Sequence, residues 1–354
     1  MQAPWPGLIR RTRGVLGILV AALVLQCVFA AASQGHLFGI TRQVLAFYYG
    51  WYGIPSLEGH WVHWNGVDEA AHRTSNTTGY PAVGPYDSHD PSTVAHQVEM
   101  AKVAGITGFI ASWWGPGSFE DRGIPLLIAA AARRGLVVSA ILEEIPGDDH
   151  VRKMQSAVQE IDYLLARYAG ESAWLRAGGK PVIYVYGRAL HALLPDEWRE
   201  AISAVRRDNP GGVMLIADEF KPEYASVFDG ASNYNVTTST YNKGPTQLRI
   251  WAHNTYPLMV ESAGPGKIST LTVIPGFDDS ELGRPPPRPI TRRRGGETYR
   301  ILWREAIAAQ PDYILITSWN EWHEGTEIEP SVEYGTTYLS VTATLAHQFL
   351  MGGQ

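Results

Sequence analysis

Short, mostly apolar runs rich in β-branched and aromatic residues recur along this chain, separated by longer stretches with apolar positions at helical spacing. The strand-like runs are Val44–Tyr49, Gly108–Trp113, Val137–Leu142, Val182–Tyr186, Val213–Ala217, Ala231–Tyr234, Thr270–Ile274 and Tyr313–Ser318. Between them the pattern predicts helices over Pro91–Ala104, Ile124–Arg134, Asp148–Tyr168, Glu197–Arg207 and Thr298–Ala309, with Thr337–Met351 closing the chain. Asp90 is placed to cap the first of these, with proline at the first helical position and Gly105 beyond its end. Eight strands alternating with helices predict a single (β/α)8 TIM barrel of class α/β over residues 36–354. A doubly wound open sheet fits less well, because no glycine-rich phosphate loop follows an early strand.

The first residues follow a different pattern. Arg10, Arg11 and Arg13 precede an apolar stretch from Gly14 that continues to Ala32 with one break at Gln26, and Ala30-Ala31-Ala32 offers a small-residue cleavage site. Residues 1–32 therefore read as a secretory signal peptide, with a secreted or periplasmic product. Left uncleaved, the stretch of about 19 residues could anchor the chain in a membrane. Cys27 is the single cysteine, so a mature chain has neither disulfides nor thiolate metal sites. The formal charge of −6 becomes −9 once the three arginines are removed, which argues against nucleic acid as a partner. A monomer is expected.

In such a barrel the active site lies at the C-terminal ends of the strands. Here those ends are rich in aromatic and acidic residues: Tyr48-Tyr49-Gly50-Trp51-Tyr52 after the first strand, Trp113-Trp114 after the second, Glu143-Glu144 after the third and Asp218-Glu219 after the fifth. The last strand runs into Trp319-Asn320-Glu321-Trp322-His323-Glu324-Gly325-Thr326-Glu327-Ile328-Glu329. Aromatic faces suit sugar rings, and paired carboxylates suit glycosidic cleavage. Residues three apart on a continuing strand face opposite sides, so the chain must turn after Asn320 for Glu321 and Glu324 to share a site. Tyr48, Trp64 and Trp113 are the aromatics expected to stack on sugars, and Asp278 after the seventh strand is a further candidate for substrate binding. His60, His63, His89 and His323 lack any familiar metal-ligand spacing, so no metal or other cofactor is expected. The Arg- and Pro-rich stretch Arg284–Arg294 reads as a solvated loop on the active-site side, with a lid or a contact to an anionic glycan as the alternative.

These residues resemble glycoside hydrolase family 99, the endo-α-1,2-mannosidases and endo-α-1,2-mannanases. The likeness runs from Phe47 to Pro330 and is carried by Tyr48-Tyr49-Gly50-Trp51-Tyr52-Gly53, His63-Trp64-Asn65, Tyr86-Asp87-Ser88-His89-Asp90-Pro91, Gly105–Gly115, Gly179-Lys180-Pro181-Val182, Pro275-Gly276-Phe277-Asp278-Asp279 and, most specifically, Asn320–Thr326. It implies a retaining endo-acting hydrolase of internal α-mannosidic linkages, whose partner is an α-mannoside glycan or mannan. The resemblance implies attack by the substrate's own 2-hydroxyl to give a 1,2-anhydro sugar, with Glu321 as the assisting base and Glu324 as acid and then base. The residues alone leave open a direct attack by Glu321. The resemblance adds Glu143 and Glu58 to the expected substrate contacts; Tyr234, Trp322 and His323 are further candidates, His323 to orient a carboxylate or donate to a sugar hydroxyl. Glu144 competes with Glu143, and Glu144-Ile145 departs from the Pro-aromatic continuation usual in the family. That departure keeps a different sugar in view, while both motif glutamates argue against a non-catalytic glycan-binding barrel. Glu327 and Glu329 are expected to support the loop.

Overall fold

The computed structural model describes residues 40–286 and 288–352. The expected signal or anchor segment, 1–32, lies outside them. Eight parallel strands form the barrel: β1 (Gln43–Tyr48), β2 (Gly108–Trp113), β3 (Val137–Leu142), β4 (Lys180–Val185), β5 (Met214–Ala217), β6 (Gly230–Ala231), β7 (Ile268–Val273) and β8 (Tyr313–Ile316). Consecutive strands pair in parallel throughout, and β8 returns to β1 with Gln43 opposite Tyr313 and Ala46 opposite Ile316, which closes the sheet. A two-residue strand, Arg176–Ala177, turns antiparallel into the start of β4.

Seven longer helices surround it: α1 (Pro91–Val103), α2 (Phe119–Arg134), α3 (His150–Arg167), α4 (Pro195–Asp208), α5 (Pro245–Ala263), α6 (Glu297–Ala309) and α7 (Thr337–Met351). The β5–β6 connection has only the single turn Pro222–Ala225. Asp90 caps α1 as expected, its carboxylate accepting from the Ser92 and Thr93 N–H groups. α2 begins at Phe119 rather than Ile124. Pro125 lies inside it, and the Asp121 carbonyl that a residue at 125 would normally bond accepts the Tyr168 hydroxyl instead, at 3.1 Å. α5 was absent from the sequence pattern because it exposes Ile250 and Leu258 and contains Pro257. It is secured by Leu248, Ala252 and Tyr256, one turn apart and buried.

The strands are buried on both faces, so alternation sorts two cores. Leu45, Phe47, Ile110, Ile141, Tyr184, Ile216 and Leu315 fill the barrel interior. Val44, Ala46, Phe109, Ala140, Val185 and Ile316 pack outward with the helices. This parity fixes what each strand delivers at its C-terminal end. Counting by twos from the interior positions leads to Tyr49, Ser112, Glu143, Tyr186 and Asp218; Tyr48 and Trp113 belong to the outward set.

Candidate active site

The loop after β8 is built before it is used. It passes through a cis Thr317–Ser318 peptide and folds back on itself, the Ser318 N–H donating to the Thr326 carbonyl and the Ile328 N–H to that of Ser318. The fully buried Asn320 side chain ties it to the end of β1: Nδ2 donates to the Tyr49 carbonyl at 2.9 Å, and Oδ1 accepts the Tyr49 N–H at 2.8 Å. A short 3-10 turn, Trp322–Glu324, follows with Glu321 at its N-cap, and Gly325 ends it at φ 57°. A Cβ at Gly325 would lie 2.8 Å from the Thr78 Oγ1 and 2.9 Å from the Asp278 carbonyl oxygen, so glycine is required by space as well as by φ. The turn in the chain that the Glu321–Glu324 spacing demanded is this one.

Glu321 is held by His323. Its Oε1 accepts the His323 backbone N–H and lies 3.1 Å from the ring Nδ1, while the ring Nε2 lies 2.9 Å from the His63 carbonyl. A carbonyl can only accept, so Nε2 carries a proton. The second ring proton is then shared between Nδ1 and Glu321. Burial alone would lower the His323 pKa, but the hydrogen bond and charge of Glu321 outweigh it and the net direction is upward. Glu321 thus favours the charged form of the His323 ring, and Oε2 of Glu321 accepts no hydrogen bond among the described residues. His63 goes the other way: burial, then the neighbouring His323, lower its pKa to about 4, so it is a neutral ring stacked 4.6 Å from Trp51.

Glu324 is in the opposite condition. Burial, reinforced by the negative charge of Glu321, pushes its pKa up to about 8. Its Oε2 accepts the Tyr234 hydroxyl at 3.2 Å, and Tyr234 in turn accepts that of Tyr49 at 2.7 Å. Arg284 approaches Oε1 at 3.9 Å while pairing with Asp279 at 2.9 Å, and its charge opposes the rise. The side chain keeps 19% of its surface open. One turn thus presents a carboxyl oxygen free of hydrogen bonds among the described residues and, three residues on, a carboxyl whose acid form is favoured.

The third strand contributes Glu143, which accepts the Ser112 hydroxyl at 2.7 Å and lies 3.4 Å from Arg188. Burial raises its pKa to about 7. Glu144, its competitor in the sequence, is exposed. Asp278 reaches the site through its backbone, its N–H donating to the Glu324 carbonyl at 2.8 Å.

Five expected substrate contacts are engaged in packing or bracing the loops instead. Tyr48 faces the outer layer and donates to Gln97 at 2.8 Å; Trp113 does likewise and donates to Asp121 at 2.8 Å. Both fall on the outward parity of their strands. Trp64 and Trp322 are fully buried and bond to Tyr86, so their rings support the loops and cannot stack on a sugar. Glu58 is bound to His89, 2.9 Å away. With Asp87 these two bring ligand atoms within 4.8 Å of one another, a grouping that could hold a metal ion. The atoms already brace the loop: Asp87 accepts the Ile54 and His89 N–H groups, and the His89 Nε2 meets the Phe119 carbonyl.

The rim aromatics that keep open surface are instead Trp51, Trp114 and Tyr186. Trp51 lies 6.4 Å from Trp114, whose ring carries Arg188 at 4.6 Å. Strand parity would have found Tyr186, and position just beyond a strand end would have found Trp114. Nothing in the sequence points to Arg188, and Arg284 is marked there only as part of the Arg-rich stretch after the seventh strand.

Several known proteins are similar to this chain. Rat glycoprotein endo-alpha-1,2-mannosidase is 28% identical over 330 residues, spanning 82% of this chain and 68% of its own length. The human glycoprotein endo-alpha-1,2-mannosidase-like protein is 28% identical over 346 residues, spanning 86% and 72%. Among solved structures, the GH99 endo-alpha-mannosidase of Bacteroides thetaiotaomicron in complex with bis-tris-propane superposes with a TM-score of 0.75 at 26% identity, covering 88% of this chain and 99% of that one. Residues 39–344 match the family model of glycosyl hydrolase family 99, and a match over so much of the chain places it in that family, as a glycoside hydrolase of the endo-α-mannosidase type.

Proposed function

We propose that this enzyme cleaves internal α-mannosidic linkages, in α-1,2-linked mannan or glucosylated mannose glycans, with retention of configuration. The observation that carries this reading is the pair of carboxyls presented by one turn: Glu321 with one oxygen free of hydrogen bonds among the described residues, and Glu324 with open surface and a pKa pushed up to about 8. In the first step Glu321 takes the proton of the substrate's 2-hydroxyl while O2 attacks C1. Glu324 gives its proton to the departing glycosidic oxygen, and a 1,2-anhydro sugar remains. In the second step Glu324, now a carboxylate, takes a proton from water as the water oxygen attacks C1. The epoxide C1–O2 bond opens and O2 recovers the proton held by Glu321. Two inversions at C1 give net retention, and both carboxyls return to their starting states. Each positioned proton transfer supplies on the order of 10²–10⁴ in rate. Glu143 and Arg188 hold hydroxyls of the reacting sugar, and Trp51 and Trp114 bound its faces.

The test is digestion of α-1,2-linked mannan and of glucosylated mannose oligosaccharides, with NMR of the first-formed product. Release of oligosaccharides in the retained α-configuration is expected. An inverted anomer overturns the two-step route, and release of single mannoses from chain ends overturns the endo assignment.

A further inference from the structure

The loop between β7 and α6 was expected to be solvated, but the described part of it walls a cavity. Five arginines fall within residues 284–294, and the nearest acidic residues in sequence are Glu281 and Glu297. In a chain of net charge −6 this is a local reversal of sign. Arg292 and Arg294 line a cavity of about 730 Å³, together with Thr78, Asp278, Gly325 and Tyr334. The same two arginines line a second hollow, reached also by Lys243. Among the described residues, none of these three cations forms an ion pair with a carboxylate. Asp278, the acidic group in the first wall, turns its Oδ1 to the Ser280 N–H.

The cations stand on a fixed backbone. Phe277 and Thr291 exchange two backbone hydrogen bonds of 2.9 Å, and the Thr291 hydroxyl meets that of Thr240 at 2.8 Å. Arg294 donates to the Lys243 carbonyl at 3.2 Å, and Arg293, between the two arginines that lack an ion pair, is buried against Glu327 and lies 4.5 Å from the Tyr334 ring. Tyr334 leaves 38% of its surface exposed in the same cavity. The cavity shares a wall with the catalytic turn, since Gly325 adjoins Glu324 and the Asp278 N–H bonds the Glu324 carbonyl. Unpaired guanidinium groups held on a rigid concave wall match oxyanions, which accept two parallel N–H bonds from such a fork.

We propose that this cavity is a subsite for an anionic substituent of the glycan, so that the enzyme acts on mannosides carrying a phosphate or carboxylate group beside the cleaved linkage. The substituent engages Arg292 and Arg294, with Lys243 adding charge at the far side, and Tyr334 offers a face for the sugar that bears it. The proposal rests on the mannosidase reading above for its substrate backbone, while the pocket itself can be tested without turnover.

Two measurements on the full chain decide it. Calorimetry compares mannose 6-phosphate, mannuronate and mannose as probes, at about 20 mM and about 300 mM salt. At low salt at least one of the two anions binds at least tenfold tighter than mannose, and high salt erodes the difference. The Arg292→Gln/Arg294→Gln double variant brings the ratio close to one, with an unchanged melting temperature. The second measurement compares kcat/KM on neutral, phosphorylated and 6-carboxylated α-mannan oligosaccharides. Wild type prefers an anionic form, and the double variant loses that preference while keeping its rate on the neutral form. The better of the two anions identifies the substituent. Equal binding of all three probes by wild type, or a preference that survives in the double variant, overturns the proposal. Binding as expected with no hydrolysis of any mannoside would instead overturn the mannosidase reading and leave the pocket standing.

Discussion

Four glutamates lie within nine residues of the β8 loop, and the contrast between the first two and the last two separates what is chemical from what is structural. Glu324, Glu327 and Glu329 all have pKa values raised by burial, to about 8, about 7 and about 7. A perturbed carboxyl is therefore no mark of catalysis here. What differs is where the oxygens go. Glu329 accepts the Tyr86 hydroxyl and the Gln97 amide, both at 2.7 Å, and Glu327 meets the buried Arg293 at 2.5 Å; both are sealed in protein. Among the described residues Glu321 keeps one oxygen without a hydrogen bond and Glu324 keeps open surface; Glu327 also has an oxygen without a hydrogen bond, but that atom is buried. Access and an unspent lone pair identify the working pair, and burial alone does not.

The largest expected effect divides the two pairs by activity. Glu321→Gln and Glu324→Gln each lower kcat/KM on natural α-mannosides by about 10³-fold or more, with cooperative unfolding preserved. Glu329→Gln stays within a few-fold of wild type. Steady-state rates on one mannan oligosaccharide check all three. A Glu329 variant as crippled as the Glu324 variant would erase the distinction drawn from access.

The converse effect is on stability. Arg293→Met leaves Glu327 buried without its cation and lowers unfolding free energy by about 3–5 kcal/mol. The loss is largest near pH 8 and shrinks near pH 5, where Glu327 takes up a proton. Urea melts at the two pH values measure it. Arg284→Met removes the cation nearest Glu324 and the 2.9 Å partner of the buried Asp279, but costs less, about 1 kcal/mol, because that guanidinium is half-exposed. Equal losses in the two variants would show that the pairs are not divided as argued.

The same contrast explains what could be read from sequence. The β2, β3 and α7 limits agree with the pattern to the residue, and the turn after Asn320 was demanded by the spacing of Glu321 and Glu324. Those features are local. The errors came where one residue of register decides a face. Tyr48 and Trp113 lie in strands buried on both sides, so hydrophobicity gave no sign of which neighbour looked inward. Trp64 and Trp322 belong near the site, but only packing reveals that Tyr52 and Tyr86 cover them. The β6 strand shrank to Gly230–Ala231 because Ser232 and Asn233 use their backbones to reach β5 and β7, the Ser232 N–H bonding the Ala217 carbonyl and the Asn233 carbonyl accepting from Thr272. The pairing of Arg293 with Glu327 and the approach of Arg284 to Glu324 are set by loop closure over long sequence separations, for which composition carries no signal.

The smallest effect separates the two pairs by pH. A carboxyl whose folded pKa is raised to about 7, above an unfolded value near 4.3, favours folding most below pH ~4 and loses that contribution as pH climbs through about 7. Glu329 is such a group, and glutamine in its place cannot titrate. The stability difference between Glu329→Gln and wild type should therefore shift in favour of the variant between pH 5 and pH 8, on top of a constant cost of about 1 kcal/mol for the bond to Gln97 or Tyr86 that an amide cannot make. Taking the difference between the two proteins cancels the other buried carboxyls, which titrate alike in both. The rate should behave oppositely: Glu324 must be protonated to act as the acid, so kcat/KM falls as pH rises through about 8 in wild type and in Glu329→Gln alike. Parallel stability curves, or an alkaline limb that moves when Glu329 is replaced, would mean that the sealed carboxyl and the working one titrate as a unit.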